Sequence, residues 1–185
     1  MLTDLHRGSE FGKQINEALA HMPVVHELLL GACSSIGFDA WAEIANGPVT
    51  SMTNLQAFTL DGCHIDLCDF SKMLLNMRSL THLLFDDVHL YKASKGDLAQ
   101  FFCALADGPC ELEYFYSLNV IMGWYDKIEF PSSLRQPGSW ILDSEGELED
   151  DYDWIVVNYH PWIHWKGKDN IKWVLREMAA HVQSL

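Results

Sequence analysis

What this 185-residue sequence lacks narrows its function before any motif is read. No stretch approaches the roughly 18 consecutive apolar residues of a membrane-spanning helix. The opening MLTDLHRGSEFGKQ has no basic run leading into an apolar core either. Both absences predict an intracellular protein, cytoplasmic or nuclear. Basic side chains are scarce, 12 against 26 acidic ones, and the formal charge of -14 repels phosphate backbones and anionic membrane leaflets. Neither nucleic acid nor membrane is expected as a partner. The cysteines, Cys33, Cys63, Cys68, Cys103 and Cys110, are odd in number and lie inside apolar patterns. That suits reduced thiols packed as small hydrophobes, not a secreted disulfide framework. G-x-S-x-G, H-E-x-x-H, phosphate-cradling glycine loops and dinucleotide fingerprints are all missing. Catalysis and cofactors therefore have no support in the residues.

What is present is a repeat. Leu55-x-x-Phe58-x-Leu60-x-x-Cys63-x-Ile65 returns twenty-five residues on as Leu80-x-x-Leu83-x-Phe85-x-x-Val88-x-Leu90. Both follow the leucine-rich-repeat pattern L-x-x-L-x-L-x-x-N/C-x-L. An earlier unit reads Val25-x-x-Leu28-x-Leu30-x-x-Cys33, and a degraded one reads Leu112-x-x-Phe115-x-Ser117-x-x-Val120-x-Met122 with Ser117 at an apolar position. The starts at Val25, Leu55, Leu80 and Leu112 lie 30, 25 and 32 residues apart. In such a unit a short strand carries the L-x-L core and a helix returns on the other side. No unit buries its apolar face without a neighbour, so the units must stack.

Helical spacing supplies the returning elements. Phe38, Trp41, Ile44 and Ala45 form one stripe, ended by Asn46-Gly47-Pro48. Phe70, Met73, Leu74 and Met77 form the next, and Leu98, Phe101, Phe102 and Leu105 a third, closed by Asp107-Gly108-Pro109. Before the repeats, Ser9 is expected to cap a helix through Phe11, Ile15, Ala18, Leu19 and Met22. The chain is thus expected to be one α/β domain over 1–185: repeats within 9–123, an irregular tail with an acidic loop over 124–168, and a capping helix over 169–185. In that tail Asp126 to Phe130 reads as a further strand and Asp143 to Asp153 as a solvated acidic loop. Trp154 to Tyr159 reads as another strand, and Asp169 as the cap of a helix striped by Ile171, Val174, Leu175, Met178 and Val182.

The four units together resemble the C-terminal repeat region of the large fungal family of F-box/leucine-rich-repeat-like proteins, over about half the chain. The resemblance implies a short solenoid, with parallel strands on the concave face, helices on the convex face and a C-terminal capping segment. It also implies recruitment of a substrate protein to a ubiquitin ligase. In that family an F-box docks the ligase adaptor. Met1 to Met22 is too short for one and lacks its leading Leu-Pro pair. An adaptor is therefore a partner only if an F-box is supplied elsewhere. Otherwise the chain stands alone as a repeat protein.

Strand residues between the buried leucines point away from the core, because side chains alternate. One column collects Leu29, Thr59, Leu84 and Tyr116, the column before it Glu27, Ala57, His82 and Tyr114, and the column after it Gly31, Asp61, Asp86 and Leu118. The partner-binding candidates are Glu27, Leu29, Thr59, Asp61, His82, Leu84, Asp86, Tyr114 and Tyr116, with the aromatic end the natural anchor. The competing use of Leu29 and Leu84 is packing beneath a terminal segment.

Metal chemistry is weaker on the same residues. Cys63-His64-x-x-x-Cys68 supplies one ligand pair with no second pair near, and Cys63 already has a repeat position. His160 and His164 are separated by Pro161 and suit aromatic packing with Trp154, Tyr159, Trp162 and Trp165. The acidic run has Leu148 where a calcium loop needs glycine. The expectation is a non-catalytic protein-interaction module. The alternatives are a self-associating structural protein or, further off, a metal protein or enzyme built on the Cys and His groups.

Overall fold

Strand and helix alternate along most of the chain. The computed structural model describes residues 2–22, 24–31, 38–91, 93–122, 126–134 and 163–185. The first half runs through helix α1 (Leu2–Ala20), strand β1 (Glu27–Gly31), helix α2 (Phe38–Ala45), a 3-10 turn at Pro48–Ser51, strand β2 (Ala57–Asp61), strand β3 (His64–Asp66) and helix α3 (Leu67–Asn76). The second half continues with strand β4 (His82–Tyr91), helix α4 (Lys95–Asp107), strand β5 (Tyr114–Met122), strand β6 (Asp126–Lys127), a 3-10 turn at Ser132–Leu134, strand β7 (Ile163–Lys166) and helix α5 (Lys168–Ser184). No helix among the described residues is long and apolar enough to cross a membrane.

The architecture is α/β with a parallel-rich sheet. β1, β2, β4 and β5 lie side by side in chain order, all parallel, and β3 pairs with the second half of β4. The L-x-L residues explain the register. Leu28 stands beside Phe58, Phe58 beside Leu83 and Leu83 beside Phe115, while Leu30, Leu60, Phe85 and Ser117 form the next row. A slip of one residue would turn each strand's apolar set outward, so burial locks this alignment.

The helices form one layer, α1 beside α2, then α3, α4 and α5 in sequence. Phe70 of α3 is the hub beneath the sheet, its ring packed against Trp41, Phe58, Phe85 and Phe101 at centroid distances of 5.6 to 6.2 Å. Polar side chains fix where the helices begin. Asp66 accepts from the Cys68 and Asp69 amides at the start of α3. Ser94 and Asp97 make a reciprocal capping box at α4, whose hydrogen bonds hold the Asp97 carboxyl below the usual carboxylate range.

Two backbone features recur from unit to unit. At the strand entrances one carbonyl accepts two successive amides of the next unit: His26 from Gln56 and Ala57, Gln56 from Thr81 and His82, Thr81 from Glu113 and Tyr114, at 2.7 to 3.0 Å. Further along each strand one residue is left-handed: Gly62 at φ 60°, Asp87 at φ 48° and Asn119 at φ 48°. These three residue types accept that region most readily. At Gly62 the turn separates β2 from β3, whereas β4 and β5 pass through the same bend as single strands. Beyond the bend Cys63 is buried, and its thiol donates to the Leu30 carbonyl at 3.1 Å. Val88 and Val120 are buried at the corresponding places.

Several expectations are corrected. Ser9 lies inside α1, which already begins at Leu2, and not at its start. Within 124–168 the strand expected over Asp126 to Phe130 is present as β6, confined to Asp126–Lys127, and β7 is an addition; both pair antiparallel with β5, β7 along Tyr114–Ser117 and β6 along Ile121–Met122. This pairing explains Ser117. The serine is 2% exposed, and Ile163, directly opposite on β7 and equally buried, brings hydrocarbon beside the position that the small side chain leaves unfilled. Helix α5 starts at Lys168 after Gly167, and Asp169 sits in its first turn instead of capping it. Its Ile171, Val174, Leu175, Met178 and Val182 are buried as a stripe beside α4. Cys33, the acidic run from Asp143 to Asp153, the Trp154–Tyr159 segment, His160 and Trp162 lie outside the described residues.

Candidate interaction surface

A parallel sheet is normally covered on both faces. Here the helices take one face, and the other carries the residues that alternate with the core. The register sets them in three rows. Glu27, Ala57, His82 and Tyr114 occupy the first, Leu29, Thr59, Leu84 and Tyr116 the second, and Gly31, Asp61, Asp86 and Leu118 the third. All nine candidate residues therefore share one face, and none is buried. Leu29 is 66% exposed and Leu84 is half-buried.

The first row ends in a stacked pair. The His82 and Tyr114 rings lie 5.5 Å apart at 20°, and the Thr81 hydroxyl sits 2.9 Å from His82 Nδ1. On the far side the Lys166 ammonium lies 5.9 Å from the Tyr114 ring centroid, brought there because β7 pairs Lys166 with Tyr114. Burial raises the Tyr114 phenol's pKa. In the second row burial pushes the Tyr116 phenol up to about 12, helped by the negative charge of Asp86, by Tyr114 and by Asp87. Tyr116 is thus a neutral hydroxyl with an apolar body, the make-up of an interface anchor.

The third row concentrates negative charge. Asp61 and Asp86 are cross-strand neighbours, and Asp87 follows in its left-handed conformation. Burial, then Asp87 and Asp61, raise the Asp86 carboxyl above its ordinary value. Ion pairs among the described residues join Lys72 to Asp69, Lys168 to Glu111 and Glu113, and Arg176 to Asp107, and leave this row without a cation. At Gly31, at the edge of the row, a Cβ would crowd Leu29 Cδ2 at 3.0 Å and meet the Asp61 side chain only at ordinary contact distance.

Of the residues weighed for metal chemistry, Cys63, His64 and Cys68 are described with their side chains. Cys63 points into the core while Cys68 is exposed on α3. The His64 ring lies 4.6 Å from that of His89, tilted at 41°, and burial, with the neighbouring His89, lowers its pKa. Among the described residues no group of three or more His, Cys, Asp or Glu side chains is arranged to hold a metal ion. His164 lies in β7 opposite Tyr116 and not on a helix, and Trp165 packs on Trp173 at 5.3 Å while donating to the Leu134 carbonyl at 2.6 Å.

Two members of the surface escaped sequence reasoning. Lys166 joins through pairing with a strand about fifty residues away in sequence, for which no local signal exists. Asp87 had a readable signal: Gly62, Asp87 and Asn119 stand at matching places after three strand cores, and all three residue types tolerate left-handed backbone. Comparison with protein families, with curated proteins and with solved structures returns no match for the chain.

Proposed function

We propose that this chain is a non-catalytic protein-interaction module, a short leucine-rich-repeat stack whose open sheet face holds a partner protein. The observation that carries the reading is the open face itself: nine alternating residues, three of them aromatic, in register across four parallel strands. The repeated carbonyl-to-two-amide bonds and the left-handed residues at matching places support the leucine-rich-repeat assignment. The resemblance to fungal F-box/leucine-rich-repeat-like proteins extends the proposal to substrate recruitment for a ubiquitin ligase, with the adaptor-binding F-box supplied elsewhere.

The test is affinity capture with the intact chain beside the L84A/Y116A double variant, with thermal melts of both. Loss of captured partner at a melting temperature within a few degrees of the parent supports the surface. A large loss of stability would instead place Leu84 and Tyr116 among the residues that hold the fold. A second reading, self-association, is favoured by β1, which pairs only with β2 among the described residues. Light scattering separates the two.

A further inference from the structure

We infer that the open face takes an extended basic segment of a partner protein, with arginine or lysine side chains received by Asp61, Asp86 and Asp87 and apolar side chains laid on Leu29, Leu84 and Tyr116. The inference rests on the reading of this face as a partner-binding surface and adds the chemistry of the occupant.

Charge complementarity is the first argument. Register holds Asp61 and Asp86 directly side by side, and like charges so placed repel. None of the three carboxylates has a cationic partner among the described residues. A guanidinium or ammonium group set between them would relieve the repulsion, and the chain's charge of -14 would speed its approach. The same field disfavours nucleic acid.

Shape is the second argument. A small cation needs only the carboxylates, yet the acidic row borders an apolar one. Successive rows on a strand face lie roughly 6.6 Å apart, two residues at about 3.3 Å each. That distance is within the reach of an arginine stem whose backbone rests on Leu84 and Thr59. From Leu29 to Tyr116 the face spans three strand spacings, about 14 Å at ~4.8 Å each. An extended segment covers that span with four or five residues at about 3.3–3.6 Å apiece. The expected epitope is therefore short, with basic and apolar residues among the alternate positions that face the sheet.

The probe is a fluorescein-labelled pentapeptide with leucine, arginine and leucine at its first, third and fifth positions, titrated with the intact chain at low salt and followed by fluorescence anisotropy. Comparison peptides carry glutamate for arginine or serine for leucine. The expected result is saturable binding of the arginine–leucine peptide, weakened at least tenfold by D61N/D86N and severalfold by serine for leucine, with no saturation by the glutamate peptide. E10Q/E17Q, which removes two exposed acids from α1, should leave the affinity within twofold. Melting curves confirm that D61N/D86N is folded.

Equal binding by D61N/D86N, equal binding of the glutamate peptide, or no binding of the arginine–leucine peptide overturns the inference. Binding lost in L84A/Y116A but unchanged in D61N/D86N overturns the charge assignment and leaves the surface reading standing. Binding unaffected by either double variant is non-specific attraction to an acidic protein and removes the support for both.

Discussion

Asp61 and Asp86 stand directly opposite each other on adjacent parallel strands, two carboxylates in one row of an open sheet face, with Asp87 next in line. Nothing in the hydrophobic register requires acids there, since alternate positions face away from the core. Repulsion across the row makes the native state less stable than its packing allows.

The Asp86→Asn substitution should therefore raise stability at neutral pH by up to about 1 kcal/mol, the scale of a cross-strand like-charge pair. For a chain of this length that is roughly 1–4 °C in melting temperature. The pH dependence follows from the raised carboxyl pKa. The folded state binds the Asp86 proton more tightly than the unfolded one, so the cost is present at neutral pH and fades as pH falls through the folded pKa toward 3.8. Melts of both proteins between pH 3.5 and 7 check this, and a gain that persists unchanged in acid would refute it.

Phe70→Ala should be far more damaging. The ring touches four other aromatic rings and is fully buried. A loss of about 3–5 kcal/mol is expected from the missing contacts and the remaining cavity. Urea unfolding with the midpoint shifted and the slope unchanged would confirm it.

Thiol labelling should sort the cysteines by place. Cys68 is exposed and reacts first, whereas Cys63 and Cys110 are buried. The Cys110 thiol donates to the Leu74 and Met77 carbonyls, and burial pushes its pKa up to about 11. At pH 8 neither buried thiol should react until denaturant opens the fold. Labelling of Cys110 in the native protein would contradict this.

The left-handed position gives a test of unit equivalence. Gly62→Ala should cost roughly 1–2 kcal/mol, because a Cβ disfavours φ near 60°. Gly62→Asn should cost distinctly less, since Asn119 fills the same place in another unit. Equal losses for the two, read by chemical denaturation, would mean that space and not backbone conformation limits the site.

Much of this arrangement was legible because burial obeys simple periods. Leu55, Phe58 and Leu60, then Leu80, Leu83 and Phe85, announce core strands through spacing alone, and their alternates announce the outer face. The returning helices were equally plain, since Phe70, Met73 and Leu74 fit only a helical stripe. The extent of α1 was not legible: its first turns carry no regular apolar face, so Ser9 looked like a beginning. β7 was hidden for another reason. Four residues paired to a strand far away in sequence are held by partners and not by pattern, and Ile163 gains its role only once Ser117 is beside it. The same pairing delivers Lys166 to Tyr114, which no reading of the tail by itself reveals.

The antiparallel strands along β5 have a consequence for assembly. A sheet extends indefinitely only when both margins accept a neighbour, and β6 and β7 occupy one margin here while β1 pairs with β2 alone among the described residues. Strands as short as Asp126–Lys127 and Ile163–Lys166 make that margin a poor template for head-to-tail stacking of copies. Any joining of two copies through β1 is two-fold and self-terminating. Light scattering should find a closed dimer or a single chain, never a concentration-driven fibre.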